Sequence, residues 1–127
     1  MGREATILIC DDEPSLRELM RLSLDPEPGY SFLEAEDGSE AIELIDSAGP
    51  DLILLDVMMP RIGGIAVLEH VRSHEELAGT PVIVVSAFAS PADRERAAKA
   101  GATRFVKKPF DPETLRSLVA ELLLSTV

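Results

Sequence analysis

Leu52-Ile53-Leu54-Leu55-Asp56 sets four apolar residues in a row and ends them with a carboxylate. A run with no polar interruption reads as a strand covered on both faces, which is the signature of a parallel sheet between helices. Working outward, Thr6–Cys10 and Val82–Val85 are almost as uniformly apolar, and Tyr30–Ala35 and Thr103–Val106 are two further strand-like runs. The segments between them have helical period instead. Leu16, Leu19 and Met20 mark a first helix, Ala41, Leu44, Ile45 and Ala48 a second, and Gly64, Val67, Leu68 and Val71 a third. Leu115, Leu118, Val119, Leu122 and Leu123 repeat at i, i+3, i+4, i+7 and i+8 and mark a fifth.

Helix ends are written in the sequence as well. Asp37-Gly38-Ser39-Glu40 opens the second helix, Ser90-Pro91 the fourth and Asp111-Pro112 the fifth, each with a side chain able to accept from free amide hydrogens. Gly101 can close the fourth helix in a left-handed conformation. That helix, about Pro91 to Ala100, offers only Ala97, Ala98 and Ala100 to the core and is expected to be the most easily moved. Five β-α repeats with short connections imply an α/β fold, a single (βα)5 doubly wound parallel five-stranded sheet over residues 1–127.

In such sheets the reactive crevice lies beyond the carboxyl ends of the strands. Asp11 and Asp12 follow the first strand, Asp56 the third, Ser86 the fourth and Lys108 the fifth. Singly, each has a plain explanation as turn chemistry, a helix cap (Asp12) or a surface lysine. Jointly, every polar group falls at the same end of its strand. Clustered carboxylates are costly unless a cation neutralises them, and hard oxygen donors suit Mg2+.

These residues resemble the response-regulator receiver domain of two-component signalling, the CheY-like superfamily. Ile9-Cys10-Asp11-Asp12-Glu13-Pro14 is similar to its acidic motif and Leu55-Asp56-Val57-Met58-Met59-Pro60 to its phosphoacceptor loop. Val85-Ser86-Ala87 resembles its hydroxyl position and Lys107-Lys108-Pro109-Phe110 its lysine-proline motif. The likeness runs from about Thr6 to Leu124 and implies the flavodoxin-like strand order 2-1-3-4-5. It implies that Asp56 takes a phosphoryl group from a sensor histidine kinase or a histidine phosphotransfer protein. Asp11, Asp12, Asp56 and the backbone carbonyl of Met58 are the implied Mg2+ ligands, and Lys108 and Ser86 the implied partners of the phosphoryl oxygens. Phe105 stands at the aromatic switch position and Pro109 is expected to follow a cis bond. The implied output is a change in the face made by the fourth helix, fifth strand and fifth helix, read by an output domain, a downstream protein or a second phosphorylated copy.

Some positions depart from the family's usual pattern. Gly63 stands where Asp or Asn commonly caps the third helix, and glycine still serves there. Met58 and Phe88, two residues after Asp56 and Ser86, are apolar where rapidly hydrolysing receivers are often polar; this implies either a long-lived phosphoryl group or simply two exposed loop residues. Thr103-Arg104 replaces an acidic pair frequent in receivers joined to winged-helix DNA-binding domains. His70 and His74 have a zinc-compatible i, i+4 spacing, but no third ligand is evident and an exposed helix face is the simpler reading.

Composition narrows the alternatives. The 127 residues are 46% hydrophobic, and 12 basic against 23 acidic residues give a net charge of −11, which disfavours direct contact with nucleic acid or anionic lipid. One cysteine, Cys10, and no membrane-length apolar run point to a cytoplasmic protein. A flavodoxin or dinucleotide binder needs a phosphate-cradling loop after the first strand, where Asp11-Asp12-Glu13 would repel phosphate without a metal. A pseudo-receiver, a binding module that no longer accepts phosphate, is the remaining alternative, and the full set of Asp11, Asp12, Asp56, Ser86 and Lys108 argues against it.

Overall fold

The computed structural model of the chain describes residues 4–25 and 29–125. Five strands, β1 (Ala5–Cys10), β2 (Tyr30–Ala35), β3 (Leu52–Leu55), β4 (Val82–Ser86) and β5 (Arg104–Lys107), alternate with α1 (Pro14–Leu24), α2 (Gly38–Ala48), α3 (Gly64–Ser73), α4 (Pro91–Ala100) and α5 (Pro112–Ser125). All strand pairs are parallel, in the order β2-β1-β3-β4-β5. The three central strands, β1, β3 and β4, are the uniformly apolar ones. The edge strands β2 and β5 keep polar residues because one side of each lacks a neighbour.

Side-chain parity divides the core into two layers. Leu8, Ile53, Leu55 and Val84 turn to one face with Ala41 and Ile45 of α2 and Val67, Leu68 and Val71 of α3. Ile7, Ile9, Leu54 and Ile83 turn to the other with Met20 and Leu24 of α1 and Leu115, Val119, Leu122 and Leu123 of α5. Each central strand therefore needs apolar residues at both parities, which is why the run at residues 52–55 has no polar break.

Two of the capping expectations are met by side-chain bonds to the helix amides, whereas Asp111 before α5 accepts from the Thr114 hydroxyl at 2.9 Å. Asp37 accepts from the Glu40 amide at 2.8 Å, and Ser90 and Asp93 form a reciprocal capping box at the start of α4. Gly101 closes α4 with φ 110°, a conformation costly for any residue with a Cβ.

Several details differ from the sequence reading, among them a β1 that begins one residue earlier, at Ala5, and a β4 that runs one residue further, to Ser86. β5 starts one residue later, at Arg104, because Thr103 bonds across to Val82 through both its amide and its hydroxyl. Leu19 is 42% exposed, since the buried stripe of α1 runs through Met20, Ser23 and Leu24. Ala48 and Ala98 also face outward. Glu13, with no side-chain hydrogen bond to the helix, occupies the N-cap of α1 that Asp12 was a candidate for.

On α4 only Ala97 is buried, with Ala100 half-buried against α3 and β5. A small side chain removes little apolar area from water, so few contacts oppose local opening. Amide hydrogens of α4 are expected to exchange faster than those of α2, α3 and α5 under native conditions. Hydrogen-deuterium exchange read by mass spectrometry checks this, and equal protection along all four helices would contradict it.

Candidate phosphoacceptor and metal site

Backbone hydrogen bonds continue past the strand ends and tie the site loops together. The Asp11 amide donates to the Ala35 carbonyl at 3.1 Å, the Asp56 amide to the Cys10 carbonyl at 2.9 Å, and the Lys108 amide to the Ser86 carbonyl at 2.9 Å. Residues 11, 56, 86 and 108 are thus delivered to one edge by sheet pairing itself. Asp11, Asp56 and Ser86 are buried, Lys108 is half-buried and Asp12 is exposed.

Carboxylate oxygens of Asp11, Asp12 and Asp56 lie within 4.8 Å of one another, the one grouping of potential metal ligands among the described residues. The donors are all hard oxygens and one member is open to solvent, a set that fits Mg2+ with room for water. The Lys108 ammonium donates to Asp11 Oδ2 at 2.7 Å and to Asp56 Oδ2 at 3.3 Å. The Met58 amide donates to Asp56 Oδ1 at 3.1 Å, and the Glu13 amide to Asp11 Oδ1 at 3.0 Å. Ser86 Oγ accepts from the Phe88 amide at 3.1 Å. The Lys108–Pro109 peptide is cis.

Burial pushes the Asp56 carboxyl up, with the Asp11 charge adding to it, and the Met58 amide and Lys108 only partly offset this. For Lys108, burial pulls downward, but the Asp11 hydrogen bond and the charges of Asp56 and Asp11 outweigh it and raise the ammonium. The pair therefore sits as a charged ammonium beside carboxylates that crowd one another.

Phe105 lies on β5, half-buried, with the Arg94 guanidinium of α4 over its ring at 4.7 Å from the centroid. It is not among the groups that meet Asp56 in the contacts above; it links α4 to β5. Cys10 is fully buried at the end of β1, where burial raises its thiol far out of the reactive range. His70 is half-buried rather than exposed, with Nε2 at 2.8 Å from Asp46 of α2, and His74 Nδ1 lies at 2.7 Å from the His70 carbonyl oxygen. The His70–Asp46 contact joins α2 to α3, and the His74 contact closes the end of α3.

Several supporting residues escaped the sequence reading. A Cβ on Gly64 would meet the Asp56 carbonyl oxygen at 2.4 Å, so only glycine lets α3 begin this close to the acceptor loop. A Cβ on Gly38 would overlap the Ile62 carbonyl. Arg61, at φ 66°, pairs with the buried Asp37 and fastens the same loop to α2. Arg17 of α1 donates from Nη1 to the Asp11 carbonyl at 2.8 Å and from Nε to Glu34 Oε1 at 3.0 Å. The one usable signal was position: a helical side chain leans back toward the helix start, so an arginine one turn into α1 reaches the preceding loop.

The raised Asp56 carboxyl has a consequence for stability. A folded-state value above the unfolded 3.8 means the carboxylate costs stability at neutral pH, and the cost fades as pH falls toward 3.8. Asp56→Asn is expected to raise the metal-free Tm by a few degrees at neutral pH, with the gain shrinking on acidification. Calorimetry across that pH range checks the sign.

The family model for the response regulator receiver domain matches residues 7–120. Response regulator MprA of Mycolicibacterium vanbaalenii is 41% identical over 120 residues, covering 94% of this chain and 51% of the relative. The DNA-binding dual master transcriptional regulator RpaA of Synechocystis is 35% identical, with 94% and 49% covered. The chain spans about half the length of the curated relatives it matches. Among solved structures, the Francisella response regulator 1452 receiver domain superposes with a TM-score of 0.88 at 30% identity, covering 98% of this chain and 100% of that one. Chemotaxis response regulator CheY4 of Vibrio cholerae gives 0.86 at 32% identity, with 94% and 98% covered. With a single parallel sheet in the order 2-1-3-4-5, a core on each of its faces and a family match over most of its length, the chain belongs to the response regulator receiver domain family of two-component signalling.

Proposed function

We propose that Asp56 is the phosphoacceptor of this receiver domain and that its donor is a phosphohistidine on a sensor histidine kinase or a histidine phosphotransfer protein. The observation that carries this reading is the meeting of Asp11, Asp12 and Asp56 within 4.8 Å of one another, with the Lys108 ammonium in contact with two of them. An Asp56 oxygen attacks phosphorus, the phosphorus–nitrogen bond breaks, and its electron pair stays on the donor imidazole. Lys108 neutralises a phosphoryl oxygen, and Ser86 turns its hydroxyl to another. Asp11, Asp12, Asp56 and the Met58 carbonyl would hold Mg2+, which supplies charge neutralisation for the incoming phosphoryl group. Backbone bonding fixes the nucleophile, so the chain's own contribution is orientation rather than proton transfer.

The acyl phosphate then acts as a switch rather than a step in turnover. Ser86 moving toward phosphate leaves space for Phe105, and that ring is tied to α4 through Arg94. The α4-β5-α5 face is therefore the part that changes, for an output domain, a downstream protein or a second phosphorylated copy. No helix among the described residues is long and apolar enough to cross a membrane, and a cytoplasmic setting with no direct nucleic-acid contact fits the acidic surface.

Incubation with acetyl phosphate and Mg2+ is expected to add one phosphoryl mass to the intact chain, and none to Asp56→Asn or to a sample with the metal chelated. Unmodified wild-type chain would instead identify a phosphate-independent binding module.

Met58 and Phe88 are 56% and 54% exposed in the loops after Asp56 and Ser86, and in this reading they would screen a phosphoryl group on Asp56 from an in-line water. Slow label loss is expected from the purified phosphorylated chain, at least several-fold slower than from Met58→Asn. Equal decay rates would remove the screening role.

A further inference from the structure

Asp11 has every polar group occupied. Its amide is on Ala35, its two carboxylate oxygens are on Glu13 and Lys108, and its carbonyl takes the Arg17 guanidinium. That carbonyl belongs to the peptide plane joining Asp11 to Asp12. Asp12 is exposed, so its aim depends largely on the loop backbone that carries it, beginning with the preceding peptide plane. Arg17 is itself held from behind. Its Nε donates to Glu34 on β2 at 3.0 Å, with Arg21 Nε 3.8 Å from the other Glu34 oxygen, and its side chain is only 14% exposed. A guanidinium buried this far is costly without full bonding, and its planar fork spans two partners where an ammonium spans one.

The geometry points to Arg17 as a positioning residue for the cation: braced on Glu34, it fixes the Asp11–Asp12 peptide so that the Asp12 carboxylate faces Asp11 and Asp56. This rests on the proposed Mg2+ site and adds the residue that aims its exposed ligand. Two effects of opposite sign make the idea decidable. As a positive charge beside three carboxylates, Arg17 repels a cation, so its removal by charge alone would tighten Mg2+ binding. As a brace on a ligand-bearing peptide it strengthens binding, so its removal would weaken it.

The test is Mg2+ titration of the metal-free chain, read by calorimetry and by amide chemical shifts, since the protein has no tryptophan to report by fluorescence. Arg17→Met is expected to lose roughly 10-fold in Mg2+ affinity, the scale on which a residue supporting a metal ligand acts. Arg17→Lys keeps the charge but cannot bond both partners, and is expected to fall between. Glu34→Ala removes the acceptor at an exposed side chain, frees the far end of the brace without disturbing the core, and is expected to lose less in the same direction. Unchanged or tighter binding by folded Arg17→Met overturns the inference. Should that variant not fold, unchanged affinity in Glu34→Ala overturns it. Absence of Mg2+ binding by the unaltered chain overturns the reading of the site itself, and the brace with it, whereas binding by the unaltered chain with unaffected variants removes the brace alone.

Discussion

Like charges brought together at one edge of a sheet set the terms for the rest of this molecule. Three carboxylates within 4.8 Å repel, and burial of Asp11 and Asp56 removes the water that would soften the repulsion. The loops carrying them would spread if nothing held them. Sheet pairing extended by one bond at each strand end, the Lys108 ammonium between Asp11 and Asp56, and helix starts seated against the loops together oppose that spreading. The apolar core can be read as the foundation for this strained edge: two packed layers keep the strands in register, and register is what keeps the carboxylates together.

The rigidity is distributed unevenly. Around Asp56 the packing leaves no room for a methyl group at Gly64 or at Gly38, and the Arg61–Asp37 pair closes the same loop from outside. On the far side of Ser86, α4 rests on the sheet by an alanine, with the Arg94–Phe105 contact as its main tie to β5. A closely packed Asp56 loop beside a lightly packed helix is the division of labour the proposed switch would require, since a local change in charge would then act on the helix without dispersing the carboxylates.

The fold was legible because burial on both faces leaves a mark that no other environment leaves: residues 52–55 tolerate no polar side chain at either parity. The site was legible for a related reason, since parallel pairing sends every strand's carboxyl end to the same edge and so gathers Asp11, Asp56, Ser86 and Lys108 without reference to any contact. What stayed hidden depends on reach. Arg17, Arg61 and Gly64 act on loops that only the folded chain brings near, and neither period nor composition encodes which carbonyl a guanidinium will find. Leu19 misled because a leucine in phase with a buried stripe need not lie under anything; the α1 stripe is narrower than its sequence period. His70 looked like open surface until α2 placed Asp46 beside it.

One property of α4 bears on how such a helix travels. Ser90 and Asp93 satisfy its first turn from within, and Gly101 folds back onto Ala97 and Ala98 at its last. With both termini internally closed, the helix can slide or tilt as a rod, leaving its own ladder intact. At the last turn Arg72 Nε donates to the Gly101 carbonyl at 2.8 Å and its Nη1 to the Thr80 carbonyl at 2.7 Å, while Arg94 over the Phe105 ring ties the first turn to β5. Such a helix depends on its neighbours for its position and not for the capping of its ends.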